Sequence, residues 1–256
     1  MAIVWKFAVL PDKTYYMKTI AYLTDTHLDE PAPAKHGADE RRNWQLALAD
    51  LSTRKIDAIV FGGDIGLFAS YPDFFESLSE YPNLFVTPGN HDTSAHVRQF
   101  FPSVPHSESG FYQSHPDDDL KWIFLDSSTG KISPEQMDWL QAELQTDKPV
   151  LLFVHHPILP VDTYVDQKYP LENRNDVCDL LLRHPHKVTV CCGHYHVEDT
   201  AMLGNITQWV TPAISYQIQK HTSEITTDAT YFGYRIIETK GGNVETEVIT
   251  LYPDEF

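Results

Sequence analysis

Cysteine is scarce in this chain, with three in 256 residues: Cys178, Cys191 and Cys192. An odd count, with two of the three adjacent in one apolar run, argues against a disulfide scaffold. It predicts reduced, buried thiols in a cytoplasmic protein. Basic residues are few as well. Nineteen Lys and Arg face 36 Asp and Glu, a formal net charge of −17. That surface repels nucleic acid polymers and acidic membranes at long range, and without a basic stripe a nuclease is disfavoured. A small anionic substrate stays open, because bound cations would invert the local field. No apolar run approaches a membrane-spanning length, so no membrane partner is expected. Internal repeats, low-complexity stretches and an interdomain linker are all missing. Residues 1–10 are mildly apolar but lack a basic n-region and a small-residue cleavage site. A second methionine, Met17, directly precedes the first strong strand. Residues 1–16 therefore read as an N-terminal extension or expression remnant, and 17–256 as one domain. Nothing in the chain indicates oligomeric state.

What the chain has in quantity is short apolar runs that end on metal-type residues. The run 20–23 leads to Asp25 and His27, 58–61 to Asp64, and 84–86 to Asn90 and His91. The run 150–154 leads to His155, and 188–192 to His194 and His196. Runs of this length bounded by Gly, Pro or Asp read as buried strands. If they share a sheet and a direction, their carboxyl ends form one rim, where ligands of open α/β sheets collect.

Between these strands the pattern turns helical. Helices are expected at 39–51 with Asp39 as cap, at 72–79, at 92–100, at 133–144 and at 173–183. Ser133-Pro134-Glu135-Gln136 is a strong start, with a Ser cap and Pro at the first helical position. A strand is expected at 121–126, and the segments 28–38, 102–120 and 158–171 read as loops. After residue 192 the chain turns to strands near 197–203, 206–210, 231–238 and 244–251, with hairpin turns at Gly204-Asn205 and Gly241-Gly242-Asn243. Alternating strands and helices followed by antiparallel strands fit an α/β sandwich of two mixed β-sheets flanked by helices.

The donor types suit a pair of divalent cations. In an extended segment, residues two apart face one side, so Asp25 and His27 can grip one ion, as can His194 and His196. Asp64 follows two glycines that allow a sharp turn, and its two carboxylate oxygens could bridge two cations. Two ions about 3.5–4 Å apart can activate a hydroxide and clamp a phosphate. Imidazole with carboxylate favours Fe, Mn or Zn over Ca or Mg. His155 and His156 compete for one ligand place, with His155 favoured and His156 a neighbouring hydrogen-bond partner. Arg41, Arg42, Gln217, Lys220 and His221 read as ordinary surface or structural groups.

Taken in order, Asp25-x-His27, Gly63-Asp64, Gly89-Asn90-His91-Asp92, His155 and Gly193-His194-x-His196 resemble the signature of the calcineurin-like metallophosphoesterase superfamily. The chain is most similar there to bacterial class III cyclic-nucleotide phosphodiesterases and glycerophosphodiesterases. The resemblance implies a four-layer αββα sandwich. It implies one metal on Asp25, His27 and His196, another on Asn90, His155 and His194, and Asp64 between them. His91 would touch the scissile phosphate and protonate the leaving oxygen. One departure stands out. The protein-phosphatase branch carries Gly-Asp-x-x-Asp, whose second Asp orients the catalytic His, and here Leu67 holds that place.

The expectation is a dinuclear, metal-dependent phosphodiesterase acting on small phosphate esters such as cyclic nucleotides, glycerophosphodiesters or aryl phosphodiesters. The alternatives are a phosphomonoesterase on nucleotides or sugar phosphates, and a binding scaffold of the same fold with weak chemistry.

Overall fold

A computed structural model describes residues 16–81, 83–101, 104, 107 and 110–255. All but Tyr16 of the expected N-terminal extension lies outside them. The strands are β1 (Lys18–Leu23), β2 (Ala58–Phe61), β3 (Leu84–Val86), β4 (Gln113–Pro116), β5 (Lys121–Phe124), β6 (Val150–Phe153), β7 (Val188–Cys192), β8 (Asp199–Leu203), β9 (Ile206–Val210), β10 (Gln217–Ile218), β11 (Thr227–Asp228), β12 (Phe232–Lys240) and β13 (Asn243–Leu251). The helices are α1 (Pro31–Lys35), α2 (Glu40–Ser52), α3 (Tyr71–Ser77), α4 (Ser94–Arg98), α5 (Pro134–Glu143), α6 (Tyr164–Lys168) and α7 (Arg174–Leu182).

The five metal-ended runs do not share one sheet. They divide between a sheet of order β13-β12-β1-β2-β3 and a sheet of order β4-β5-β6-β7-β9-β8, and β10 pairs with β11 apart from both. β1, β2 and β3 run parallel, as do β5, β6, β7 and β9. β12 returns antiparallel to β1, and β8 antiparallel to β9.

Strand alternation explains the four layers. Ala21, Leu23, Ile59 and Phe61 point one way and pack with Trp44, Ala47 and Leu51 of α2 and Phe74 of α3. Ile20, Tyr22, Ala58 and Val60 point the other way and meet Trp122, Phe124, Leu151, Phe153 and Cys191 of the second sheet. Val150, Leu152 and Val190 turn outward against Leu140 of α5 and Val177 and Leu181 of α7. The central parallel strands β1, β2, β6 and β7 therefore bury both faces, which is why these runs are continuously apolar rather than alternating. Aromatic rings lock the sheets together: Tyr22 stacks on Phe153 at 5.7 Å and Phe85 on Phe124 at 4.9 Å between centroids. The αββα sandwich is thus the observed fold.

Local chemistry sets most helix starts. Asp39 accepts from the Arg42 amide, and Ser133 from the Gln136 amide, with Pro134 in the first turn. The expected helix at 92–100 is shorter, because Thr93 rather than Asp92 caps α4 by accepting from the His96 amide. The three expected loops each hold an element. α1 carries two prolines, which disguise it, and β4 is an edge strand ending in His115-Pro116.

The loops after β2 and β3 touch backbone to backbone. A Cβ on Gly89 would stand 2.1 Å from Asp64 Oδ1 and 2.5 Å from the Asp64 amide nitrogen. Gly89→Ala should therefore force the two loops apart, at about 1–3 kcal/mol, and lower the melting temperature by roughly 2–4 °C per kcal/mol. Thermal unfolding of wild type and variant checks this; an unchanged midpoint would show that the loops yield freely.

Candidate metal centre

Left-handed backbone puts the donors in place. Among the described residues seven non-glycine positions have positive φ, and five of them are predicted donors: Asp25 (+58°), His27 (+49°), Asp64 (+60°), His194 (+68°) and His196 (+48°). Such conformations are sparse for residues with a side chain and concentrate where surroundings hold them. The extended geometry expected for Asp25-Thr26-His27 and His194-Tyr195-His196 is therefore corrected: both members of each pair lie on left-handed turns. Parallel neighbours hold these turns, the Asp25 amide donating to Gly63 O at 2.9 Å and the His27 amide to Asp64 O at 3.0 Å.

Each carboxylate commits one oxygen to the protein and aims the other inward. Asp25 Oδ2 accepts from Thr24 Oγ1 at 2.7 Å and from the His194 amide at 3.1 Å. Asp25 Oδ1 is buried with no hydrogen-bond partner, and it faces His196 Nε2 at 3.4 Å and His27 and His155 Nε2 at 3.9 Å. Asp64 Oδ1 accepts from the His91 amide at 2.8 Å. Asp64 Oδ2 lies 3.6 Å from His27 Nε2 and 3.3 Å from His155 Nε2. Oδ2 is the Asp64 oxygen nearest to both imidazoles, while Oδ1 accepts the His91 amide.

The imidazoles follow the same rule. His155 Nδ1 meets Gly62 O at 2.8 Å, His196 Nδ1 meets Tyr216 O at 2.8 Å, His194 Nε2 meets Tyr169 O at 3.0 Å, and His27 Nδ1 meets Glu30 Oε2 at 3.1 Å. A carbonyl or carboxylate can only accept, so each outer nitrogen carries the proton and the inner one of a neutral ring carries a lone pair. Those lone pairs converge: His27 and His196 Nε2 are 3.1 Å apart, and Asn90 Oδ1 is 3.2 Å from His155 Nε2. Acceptors facing acceptors at these distances call for positive charge between them, a proton or a cation. Asp25, His27 and His196 form one group of ligand atoms within 4.8 Å of one another, Asp64, His155 and His194 a second, and His27, Glu30 and His91 a third. The residues present therefore fit a metal site, and all seven predicted donors converge on it.

The electrostatics agree. Burial alone would raise the Asp25 carboxyl, but His196 and His155 outweigh it and hold it below the usual carboxylate range. Asp64 is held well below that range, burial notwithstanding, by His155, His27 and His91. Burial would depress His155, yet Asp64 and Asp25 raise it to about 9. His194, buried and beside His155, falls to about 3.

Two further carboxylates brace the donors. Asp92, at the start of the helix expected over 92–100, turns inward instead. It accepts from the Asp64, Ile65 and Gly89 amides at 2.7, 3.0 and 2.8 Å and from the Tyr71 hydroxyl at 2.6 Å, tying both glycine loops together. Burial and the nearby Asp64 charge raise it to about 6. Glu30 lies 2.9 Å from His91 Nδ1, so the partner missing at Leu67 comes from the turn after β1. An acid three residues past His27 was the available signal. His156 pairs through Nδ1 with Ser127 Oγ at 2.9 Å, and its ring packs 4.1 Å from that of His194. Arg41 pairs with Asp29 and Arg42 donates to Pro253 O, so the structure ties both arginines to the protein itself.

A cation entering the pocket must displace the proton that Asp64 and Asp25 hold on His155 at any pH below about 9. Apparent affinity for Zn or Mn should therefore rise with pH between 6 and 8, about tenfold per unit for each proton released. Competition titration with a chelating dye measures it; a flat profile would mean that the inner imidazole nitrogens are already bare.

Comparison with known proteins places this geometry. Residues 18–198 match the family model for calcineurin-like phosphoesterases. The chain is 29% identical over 238 residues to a protein of Fibrobacter succinogenes named as a probable cyclic nucleotide phosphodiesterase, covering 90% of this chain and 92% of that one. It is 31% identical over 179 residues to one of Arcobacter nitrofigilis named as a probable glycerophosphodiester phosphodiesterase, covering 64% and 65%. In fold it resembles the crystal structure of a dimetal phosphatase from Danio rerio, with a TM-score of 0.60 at 13% identity, over 91% of this chain and 98% of that one. No helix among the described residues is long and apolar enough to cross a membrane. The matched span holds every inward-facing donor, and the chain belongs to the calcineurin-like phosphoesterase family, metal-using hydrolases of phosphate esters.

Proposed function

We propose that this enzyme is a dinuclear phosphodiesterase of the cytoplasm that cleaves small anionic diesters such as cyclic nucleotides, glycerophosphodiesters or aryl phosphodiesters. One observation carries the reading: Asp64 Oδ2 faces His27 at 3.6 Å and His155 at 3.3 Å, a single carboxylate oxygen between two groups of donors. Asp25, His27 and His196 hold one cation in this reading, and Asn90, His155 and His194 the other, with Asp64 shared. Mn, Fe and Zn suit the mixture of imidazole and carboxylate. Two such ions, when bound, supply positive charge for the phosphate oxygens and lower the pKa of an attacking water.

The remaining roles fall to the chain itself. Asn90 and His91 are exposed while the carboxylates behind them are buried, so substrate meets these two at the mouth. His91 contacts the scissile phosphate and gives a proton to the departing oxygen. The diester preference draws on relatives named for cyclic nucleotides and glycerophosphodiesters. A reducing compartment accords with Cys178, Cys191 and Cys192, all free and buried.

A panel of phosphodiesters and phosphomonoesters, assayed with Mn, Fe and Zn added separately, tests the reading. Diester turnover should dominate; a monoester preference of about a hundredfold, some 2.7 kcal/mol in transition-state binding, would replace it with a phosphomonoesterase. Protein that takes up no transition metal would point to a binding scaffold. Asn90→Ala should leave the melting temperature unchanged and cut turnover at limiting metal by roughly 100-fold. Near-normal turnover there would remove Asn90 from the ligand set.

A further inference from the structure

We propose that Glu30 is a positioning residue: its carboxylate fixes the tautomer and rotamer of His91, so that Nε2 of that ring faces the substrate as a proton donor. The proposal deepens the phosphodiesterase reading and rests on it for the identity of the substrate.

Glu30 leaves the turn after β1, and its side chain is only 9% exposed although it is charged. Its Oε2 lies 2.9 Å from His91 Nδ1 and 3.1 Å from His27 Nδ1, so one oxygen accepts from two imidazoles. The two rings meet edge to face, with centroids 4.7 Å apart and planes at 88°. His91 itself has a side chain 43% exposed and sits past a strand end rather than on a strand. A ring so exposed would otherwise sample several rotamers and both tautomers, at a cost in entropy each time one is selected.

An acceptor at Nδ1 removes that freedom. A carboxylate cannot donate, so His91 must carry its proton on Nδ1. In the neutral ring Nε2 is then the open nitrogen, and in the imidazolium it is the nitrogen whose proton is free to leave. During hydrolysis the water oxygen forms a bond to phosphorus as the bond to the leaving oxygen breaks. The leaving oxygen takes the Nε2 proton of His91, the water gives up one proton to solvent, and Glu30 keeps the Nδ1 proton throughout. Glu30 stays an acceptor and exchanges no proton, which separates it from a catalytic acid. The same oxygen also holds His27, so its loss could act instead through the metal donors, and the test has to tell the two routes apart.

The full-length protein is examined as wild type, Glu30→Ala, Glu30→Gln, His91→Ala and the double variant Glu30→Ala/His91→Ala. Long-range 1H–15N spectra of the Zn-loaded protein read the His91 tautomer without reference to activity. Wild type should carry the Nδ1 proton, and Glu30→Ala should move His91 toward the Nε2 tautomer or a mixture. Kinetically, Glu30→Ala should lose about 10- to 100-fold in kcat on an alkyl phosphodiester, and under threefold on bis(4-nitrophenyl) phosphate, whose leaving group needs no proton. Glu30→Gln keeps an acceptor and should recover much of that loss. Adding Glu30→Ala to His91→Ala should cost under threefold, the part that acts through His27, and metal content at saturating Zn should stay at the wild-type value. An unchanged His91 tautomer in Glu30→Ala would overturn the proposal. So would equal losses on both substrates with reduced metal content, or the loss of a third metal equivalent that made Glu30 itself a ligand. If wild type cleaves no diester with any of the three metals, the functional reading fails instead, and the spectra still decide what Glu30 does.

Discussion

The site depends on a confrontation of lone pairs. Four imidazoles donate outward, to Gly62 O, Tyr169 O, Tyr216 O and Glu30, and turn their bare nitrogens toward Asp25 Oδ1 and Asp64 Oδ2. With His27 and His196 Nε2 only 3.1 Å apart, these groups would repel unless positive charge lies between them. Protons can supply some of it, as the elevation of His155 indicates, but the geometry of many acceptors around a shared oxygen is that of a multivalent cation site. The outer hydrogen bonds make the arrangement rigid, since each fixes both the tautomer and the angle of its ring.

Holding such a site open takes a stiff frame. Two sheets pressed together by Tyr22, Phe85, Phe124 and Phe153 set the positions of the strand ends, and left-handed turns at those ends redirect the side chains. Asp92 then ties the β2 and β3 loops through three amides. Polar groups buried this deeply destabilise a fold unless each finds a partner. Asp25 Oδ1 is one of five buried side-chain atoms without a hydrogen-bond partner among the described residues, and it faces the imidazoles of the site. Bound cations would also reverse the field of a chain with a net charge of −17 at the one place where an anionic ester must approach.

Much of this was legible in the chain. Buried strands announce themselves as short apolar runs, and residues placed directly after such runs lie at sheet ends whatever the topology. That is why Asp25, His27, Asp64, Asn90, His155, His194 and His196 could be named, and why the layered fold followed from the alternation of elements. Elements that lack a periodic signal stayed hidden. α1 is disguised by Pro31 and Pro33, and β4 is a four-residue edge strand that ends in a proline. The role of Asp92 is not visible in its local sequence, because only the approach of the Asp64 loop gives its carboxylate its set of donors.

Local pattern thus determined which residues are strand, which are buried, and which donors stand at strand ends, because burial and backbone propensity act over a few neighbours. Tertiary structure alone decided that the runs split between two sheets, that one oxygen of Asp64 faces both donor groups, and that Glu30 meets His91. Those are distances between segments far apart in the chain or on different turns, and they depend on how the sheets face each other and on left-handed φ angles. Neither is written in residue type or spacing.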